Sequence, residues 1–193
     1  MADTRTHHYI YGNCTCYLTG ETIVDTDDER VRQSLAKLLV EERGYAKEEV
    51  LARLTIETLF ADRFVTSRVD LAVQLAGRLF LIIRYAPGSL VTRERSALAA
   101  ARVLRDDYRI PLAVVTNGRE AELLDSATGK VLATGLAAAI PTRDAADAMQ
   151  GSLDFLPGLA EEGQERERRV LNSFDYELCC LGDPCILPGS KDG

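Results

Sequence analysis

Asp70 is the residue that first suggests chemistry. It lies within Val69-Asp70-Leu71-Ala72-Val73, an apolar run of strand character. A carboxylate taken out of water is costly unless it is paired, hydrogen-bonded or bound to a metal. Cleavage of a phosphodiester uses carboxylates in this way: Mg²⁺ takes hard oxygen ligands, and a further group orients or deprotonates the attacking water. A compact arrangement puts one Asp on a strand of a hairpin. An acid and a lysine two residues apart then sit on the next strand, where alternation points both side chains to one face. The second half would fall in Leu81-Ile82-Ile83-Arg84-Tyr85. The alternative for Asp70 is a structural one, as a partner for Arg68 or a buried hydrogen-bond acceptor.

The five cysteines are confined to the two ends, at Cys14 and Cys16 and at Cys179, Cys180 and Cys185. In a chain without a secretory leader, clustered cysteines point to metal more than to disulfides. Thiolates select zinc or an iron–sulfur cluster, and four sulfurs would close a tetrahedral site. The C-x-C and C-C spacings are not the usual zinc pattern, so free thiols stand beside the metal reading. His7 and His8 read as an N-terminal pair outside any ligand set.

The chain of 193 residues carries a net charge of −7, which argues against bulk attraction to nucleic acid. Between positions 63 and 109, however, nine arginines face four acids, with no lysine. A local basic face, with Arg68, Arg84 and Arg95 as candidate phosphate contacts, is compatible with an acidic whole. Arginines scattered along solvated element edges would give the same count. No apolar run reaches the ~18 residues of a membrane span, and the first residues lack the apolar stretch of a signal. The expectation is a cytoplasmic protein with no membrane partner.

These residues need elements to hold them. A helix is expected after Asp27-Asp28, either of which can cap it, with Val31, Leu35, Leu38 and Leu39 in one stripe and Gly44 at its end. Residues 50–57 read as a strand, alternating from Ala52 onward, so that Ala52, Leu54 and Ile56 would face the core and Arg53, Thr55 and Glu57 the other side. The Asp70 strand follows. After a turn around Ala76-Gly77-Arg78 comes the nearly all-apolar 79–85, as expected of a central strand covered on both faces. Thr92 can cap a helix reaching about residue 107. Beyond it lie a buried strand at 112–116, a hairpin turn at Asn117-Gly118, and strands near 121–125 and 131–132. Helix, three-strand meander, helix, strand and hairpin together predict an α/β fold, a mixed sheet flanked by helices. The expected division is an N-terminal extension (1–27), the α/β domain (28–140), and a linker, charged helix and polar tail (141–193).

Several blocks occur in a recognisable order: Glu29-Arg30-Val31-Arg32-Gln33, Leu39-Val40-Glu41-Glu42-Arg43-Gly44-Tyr45, Ser67-Arg68-Val69-Asp70-Leu71-Ala72-Val73, Ala86-Pro87-Gly88, and Val114-Val115-Thr116-Asn117-Gly118-Arg119-Glu120. Together they resemble the N-terminal domain of type I restriction enzyme R proteins, over slightly more than half the chain. The resemblance implies the restriction-endonuclease-like fold of PD-(D/E)xK nucleases, which cut DNA with Mg²⁺. It makes Asp70 the counterpart of the first acidic ligand. Ile83 then stands at the second acid and Tyr85 at the lysine, and an isoleucine cannot bind a metal. Glu41 or Glu42 matches a further helix ligand, although a solvated helix end explains either equally well. Arg84 faces away from Ile83 and Tyr85 and cannot replace the lysine. Glu94 could supply a migrated carboxylate, a variation known in this fold class.

The expectation is therefore a catalytically degenerate nuclease-fold protein that binds DNA or a protein partner through its basic middle. One alternative is an active Mg²⁺-dependent deoxyribonuclease with a relocated site. Another is a cysteine–metal interaction or redox module on the same scaffold.

Overall fold

The computed structural model describes residues 10–60 and 63–175. A six-stranded mixed sheet lies between two layers of helices. Its strands run in spatial order β3 (Val50–Phe60), β4 (Arg63–Leu75), β5 (Arg78–Tyr85), β6 (Leu112–Thr116), β7 (Ala121–Asp125) and β8 (Val131–Thr134). Only β5 and β6 pair in parallel, joined by the crossover helix α2 (Val91–Val103); every other neighbour is antiparallel. Ahead of the sheet, β1 (Ile10–Thr15) and β2 (Thr22–Thr26) form a separate hairpin leading into α1 (Asp27–Lys37).

The apolar runs predict this sheet because β5 and β6 are buried on both faces. Leu79 to Ile83 and all of β6 are closed to water. On one side, Leu71, Leu81, Ile83 and Val114 pack against Leu35, Ala36 and Leu39 of α1 and its π-helical continuation, Leu38–Glu42. On the other, Val69, Ile82, Ala113 and Val115 pack against the alanine-rich α2, whose small side chains permit close approach, and against Leu171 of α5 (Glu161–Asp175). The segment after Pro141 also returns to the body. Tyr45 donates its hydroxyl to the Pro141 carbonyl at 3.1 Å, and Ala146 of α4 (Arg143–Met149) is buried in the α1-side core together with Ala139 of the short α3 (Leu136–Ala139).

Three local details depart from the sequence expectation. The N-cap of α1 is Thr26, whose hydroxyl accepts the Glu29 amide at 3.1 Å, so Asp27 and Asp28 fall in the first turn, where they favour the helix dipole. The N-cap of α2 is Leu90, because the Thr92 hydroxyl donates to the Ser89 carbonyl instead. The third departure is the largest. Ala52 packs on the α1 side of the sheet, but Leu54 and Ile56 pack on the α2 side. Arg53 between them adopts a left-handed φ of +57°, costly for a side-chain-bearing residue, and this breaks the alternation. The partner strand does the same: Leu71 and Val73 face α1, whereas Val69 faces α2. The exchange occurs at one register row, between the pairs Ala52–Leu71 and Leu54–Val69, with Arg53 and Asp70 in the interval. Beyond it the hairpin leaves β5, whose ladder with β4 begins at Leu71–Ile83, and rests on α5.

Candidate functional site

Asp70 sits where β4 parts from β5, and its 6% exposure places the carboxylate inside the protein. Past the Leu71–Ile83 pair Tyr85 has no partner on β4, and Asp70 Oδ2 accepts its amide at 2.7 Å. The other oxygen, Oδ1, accepts Arg32 Nη2 at 2.7 Å and Nε at 3.2 Å. Arg32 lies one turn along α1 from Glu29 and donates Nη1 to Glu29 Oε2 in a very close contact. One guanidinium therefore bridges two carboxylates that are both buried.

A second guanidinium completes the cluster. The left-handed turn at Arg53 accompanies an ion pair between its side chain and Glu29, with Nη2 at 2.7 Å from Oε1 and Nε at 3.2 Å from Oε2. Gln33 adds a bond to Oε1 at 2.5 Å. Burial pushes the Glu29 carboxyl up, but the hydrogen bonds from Arg53 and Gln33 and the charges of Arg32 and Arg53 outweigh it, so the group is held below its ordinary range. Two acids and two guanidiniums make a locally neutral cluster.

This donor set does not fit Mg²⁺, which demands near-octahedral oxygen ligation from carboxylates with free lone pairs. Glu29 and Asp70 are occupied by arginine, Ile83 is wholly buried in the α1-side core, and Tyr85 offers a phenol. Burial raises the Tyr85 phenol, and the charges of Asp28, Asp27 and Asp70 add to this.

The remaining sequence candidates lie elsewhere. Glu41 and Glu42 are exposed beyond the far end of α1, about 18 Å along the axis from Glu29 at 1.5 Å per residue. The helix acid beside Asp70 is Glu29, which the sequence reading passed over. Its signal was available: Glu29 and Arg32 are in phase with the buried Ala36 and Leu39, where a charge needs a partner. Glu94 lies against Glu122, which pairs with Val115 and so belongs to the α2 side, opposite Ile83. Burial and then Glu94 raise the Glu122 carboxyl. Arg84, as expected, faces away from Ile83; it donates to Ser96 and to both oxygens of Asp175 at 2.8 and 3.1 Å, all within the α2–α5 layer. Arg95 pairs with Glu167 at 3.0 Å, and Arg68 is exposed on β4.

Cys14 and Cys16 are free thiols on the β1 side of the cluster. Cys16 is 1% exposed, and its sulfur accepts Gln33 Nε2 at 3.8 Å and Arg53 Nη1 at 3.9 Å. Burial pushes this thiol up, yet hydrogen bonds from Thr19, Leu18 and Gln33 prevail and bring it down to about 7. Cys179, Cys180, Cys185, His7 and His8 lie outside the described residues. Among the described residues, no group of three or more His, Cys, Asp or Glu is placed to hold a metal ion, and no helix is long and apolar enough to cross a membrane.

Comparison with known proteins gives one match. Residues 27–141 match the family model of the type I restriction enzyme R protein N terminus. No curated protein and no solved structure matches the chain significantly.

Proposed function

The chain belongs to the type I restriction enzyme R protein N-terminal family, and from that premise we propose that it is a non-cleaving member that acts by binding either DNA or a protein partner. The observation that carries this reading is the Arg32 guanidinium fixed between Glu29 and Asp70, where a catalytic cation would need free carboxylates. Ile83 and Tyr85 support it, since neither offers a second acid or a lysine. For DNA, support rests on Arg68, because Arg84 and Arg95 are already paired with α5. Supercoiled plasmid incubated with the protein and Mg²⁺ or Mn²⁺ should stay uncut. Nicking that Asp70→Ala abolishes would overturn the proposal. Anisotropy of a labelled duplex at several salt concentrations then separates the partners: saturable, salt-sensitive binding lost in Arg68→Ala marks DNA, and no binding directs the search to proteins.

A cysteine-held zinc or iron–sulfur centre is the second reading, favoured by the depressed Cys16 thiol, because thiolate is the form that ligates metal. Elemental analysis of protein purified without a metal-affinity tag tests it. Near-stoichiometric zinc or iron, lost in a Cys14→Ser, Cys16→Ser variant, would support that reading; metal-free protein would remove it.

A further inference from the structure

On the sheet face bearing α2, next to the free edge of β3, a groove of about 700 Å³ opens between the hairpin strands and the end of α2. Leu51, Leu54 and Leu104, only partly covered, and Tyr108 give it apolar surface, and Arg53, Thr55 and Gln74 add polar surface beside them. Arg78 and Arg105 stand at its rim, with Asp107 beside Arg105 at 3.3 Å. Arg78 is the unusual member. The turn before it places Ala76 and Gly77 at φ +49° and +78°, the pair of positive values of a tight hairpin turn, which fixes the start of β5. Its guanidinium then stacks over two rings, 3.9 Å from the Phe155 centroid and 4.7 Å from that of Tyr108. Tyr108 is held in turn by the Leu79 amide, which donates to its hydroxyl oxygen at 2.9 Å. Arg78 is exposed, and among the described residues it makes no ion pair. Ring stacking orients a guanidinium and leaves its N–H edge open.

We propose that this groove is a binding site for a small organic anion: a carboxylate, sulfonate or phosphate on a flat apolar body. The anionic group meets the N–H edge of Arg78, with Arg105 beside it, and the body covers the leucine floor. A concave site that sets a few oriented polar groups beside apolar contacts is a common form of small-molecule pocket, and a planar guanidinium is suited to oxyanions. The site lies on the opposite side of the sheet from the α1-side core, and Arg53, which also lines it, is already held by Glu29 of the buried cluster.

The test uses two fluorescent probes with one body, anilinonaphthalene sulfonate and the uncharged phenylnaphthylamine. The sulfonate should bind the full chain saturably at one site, and Arg78→Gln should weaken it about tenfold, which corresponds to 1.4 kcal/mol. Phenylnaphthylamine binding should be unchanged in that variant, as should the circular dichroism spectrum. Equal sulfonate affinity for both proteins, or binding that does not saturate, would overturn the site. Equal weakening of both probes would show that Arg78 shapes the groove and does not receive an anion.

Discussion

Arg32 Nη2 lies 2.7 Å from Asp70 Oδ1, joining a helix to a strand 38 residues further along the chain. Both side chains are under a tenth exposed, so the ion pair is shielded from water. It forms where β4 leaves β5, and it links the acid of the strand to the acid of the helix through one cation.

Arg32→Ala should destabilise the protein by about 3–5 kcal/mol, because it strands two buried carboxylates. Urea denaturation measures the loss. Adding Glu29→Gln and Asp70→Asn to Arg32→Met should recover much of it, since breaking one side of a buried pair costs more than replacing the whole set. If Arg32→Ala proved neutral, the bridge would not be a structural element of the cluster.

Arg84→Ala should act on stability, not on DNA. Its partner Asp175 is 9% exposed at the side chain, and removing one member of a buried pair costs about 3–5 kcal/mol. Arg68→Ala, on an exposed strand position, should stay within about 0.5 kcal/mol of the parent. Thermal melts and duplex anisotropy on the two variants separate the roles. Parent-like stability in Arg84→Ala would return that residue to the list of surface contacts.

The Glu29 carboxyl is held low in the folded state, so its contribution to stability is complete above its unfolded value, near 4.5, and is lost as pH falls through the lower folded value. Acid denaturation should therefore steepen below about pH 4.5. Glu29→Gln should flatten that limb and lower the plateau above it. An unchanged limb in Glu29→Gln would assign the acid sensitivity to other carboxylates.

Cys16 has the same sign in a different window. Its thiol titrates at about 7 in the fold against 9.0 unperturbed, so stability should rise with pH between these values and be lost as pH falls through about 7. Thiolate absorbance followed against pH gives the value directly. Thr19→Val should raise it by removing a hydrogen bond that favours the thiolate, and Cys16→Ser should abolish the slope. A titration near 9 in the parent would show that these bonds do not hold the charge.

The sheet was legible in the sequence because its central strands are almost wholly apolar, and Asp70 stood out as the one acid in such a run. The exchange of faces at Arg53 was not legible. Alternation assumes a continuous extended backbone, and a positive φ at an arginine breaks that assumption without any glycine to announce it. Glu29 was hidden for a similar reason: in Asp27-Asp28-Glu29 it resembles one more acid at a helix start, and only its phase with Ala36 and Leu39 marks it as inward. Composition alone places the basic middle segment at the surface, yet Arg84 and Arg102 are turned inward by acids of α5, a helix far along the chain. Charge counts along a sequence carry no information about such distant partners. Gln74 and Leu104 belong to the groove through tertiary folding alone, so their spacing gave no sign of it.

The exchange of faces by the two hairpin strands at Arg53 and Asp70 has a mechanical consequence. Each strand sends side chains into the α2–α5 layer along its length, and into the α1 layer from the half next to β5 as well, like a thread stitched through two sheets of cloth. Neither layer can be peeled away without pulling the thread from the other, so the described body should melt in a single calorimetric transition whichever layer loosens first.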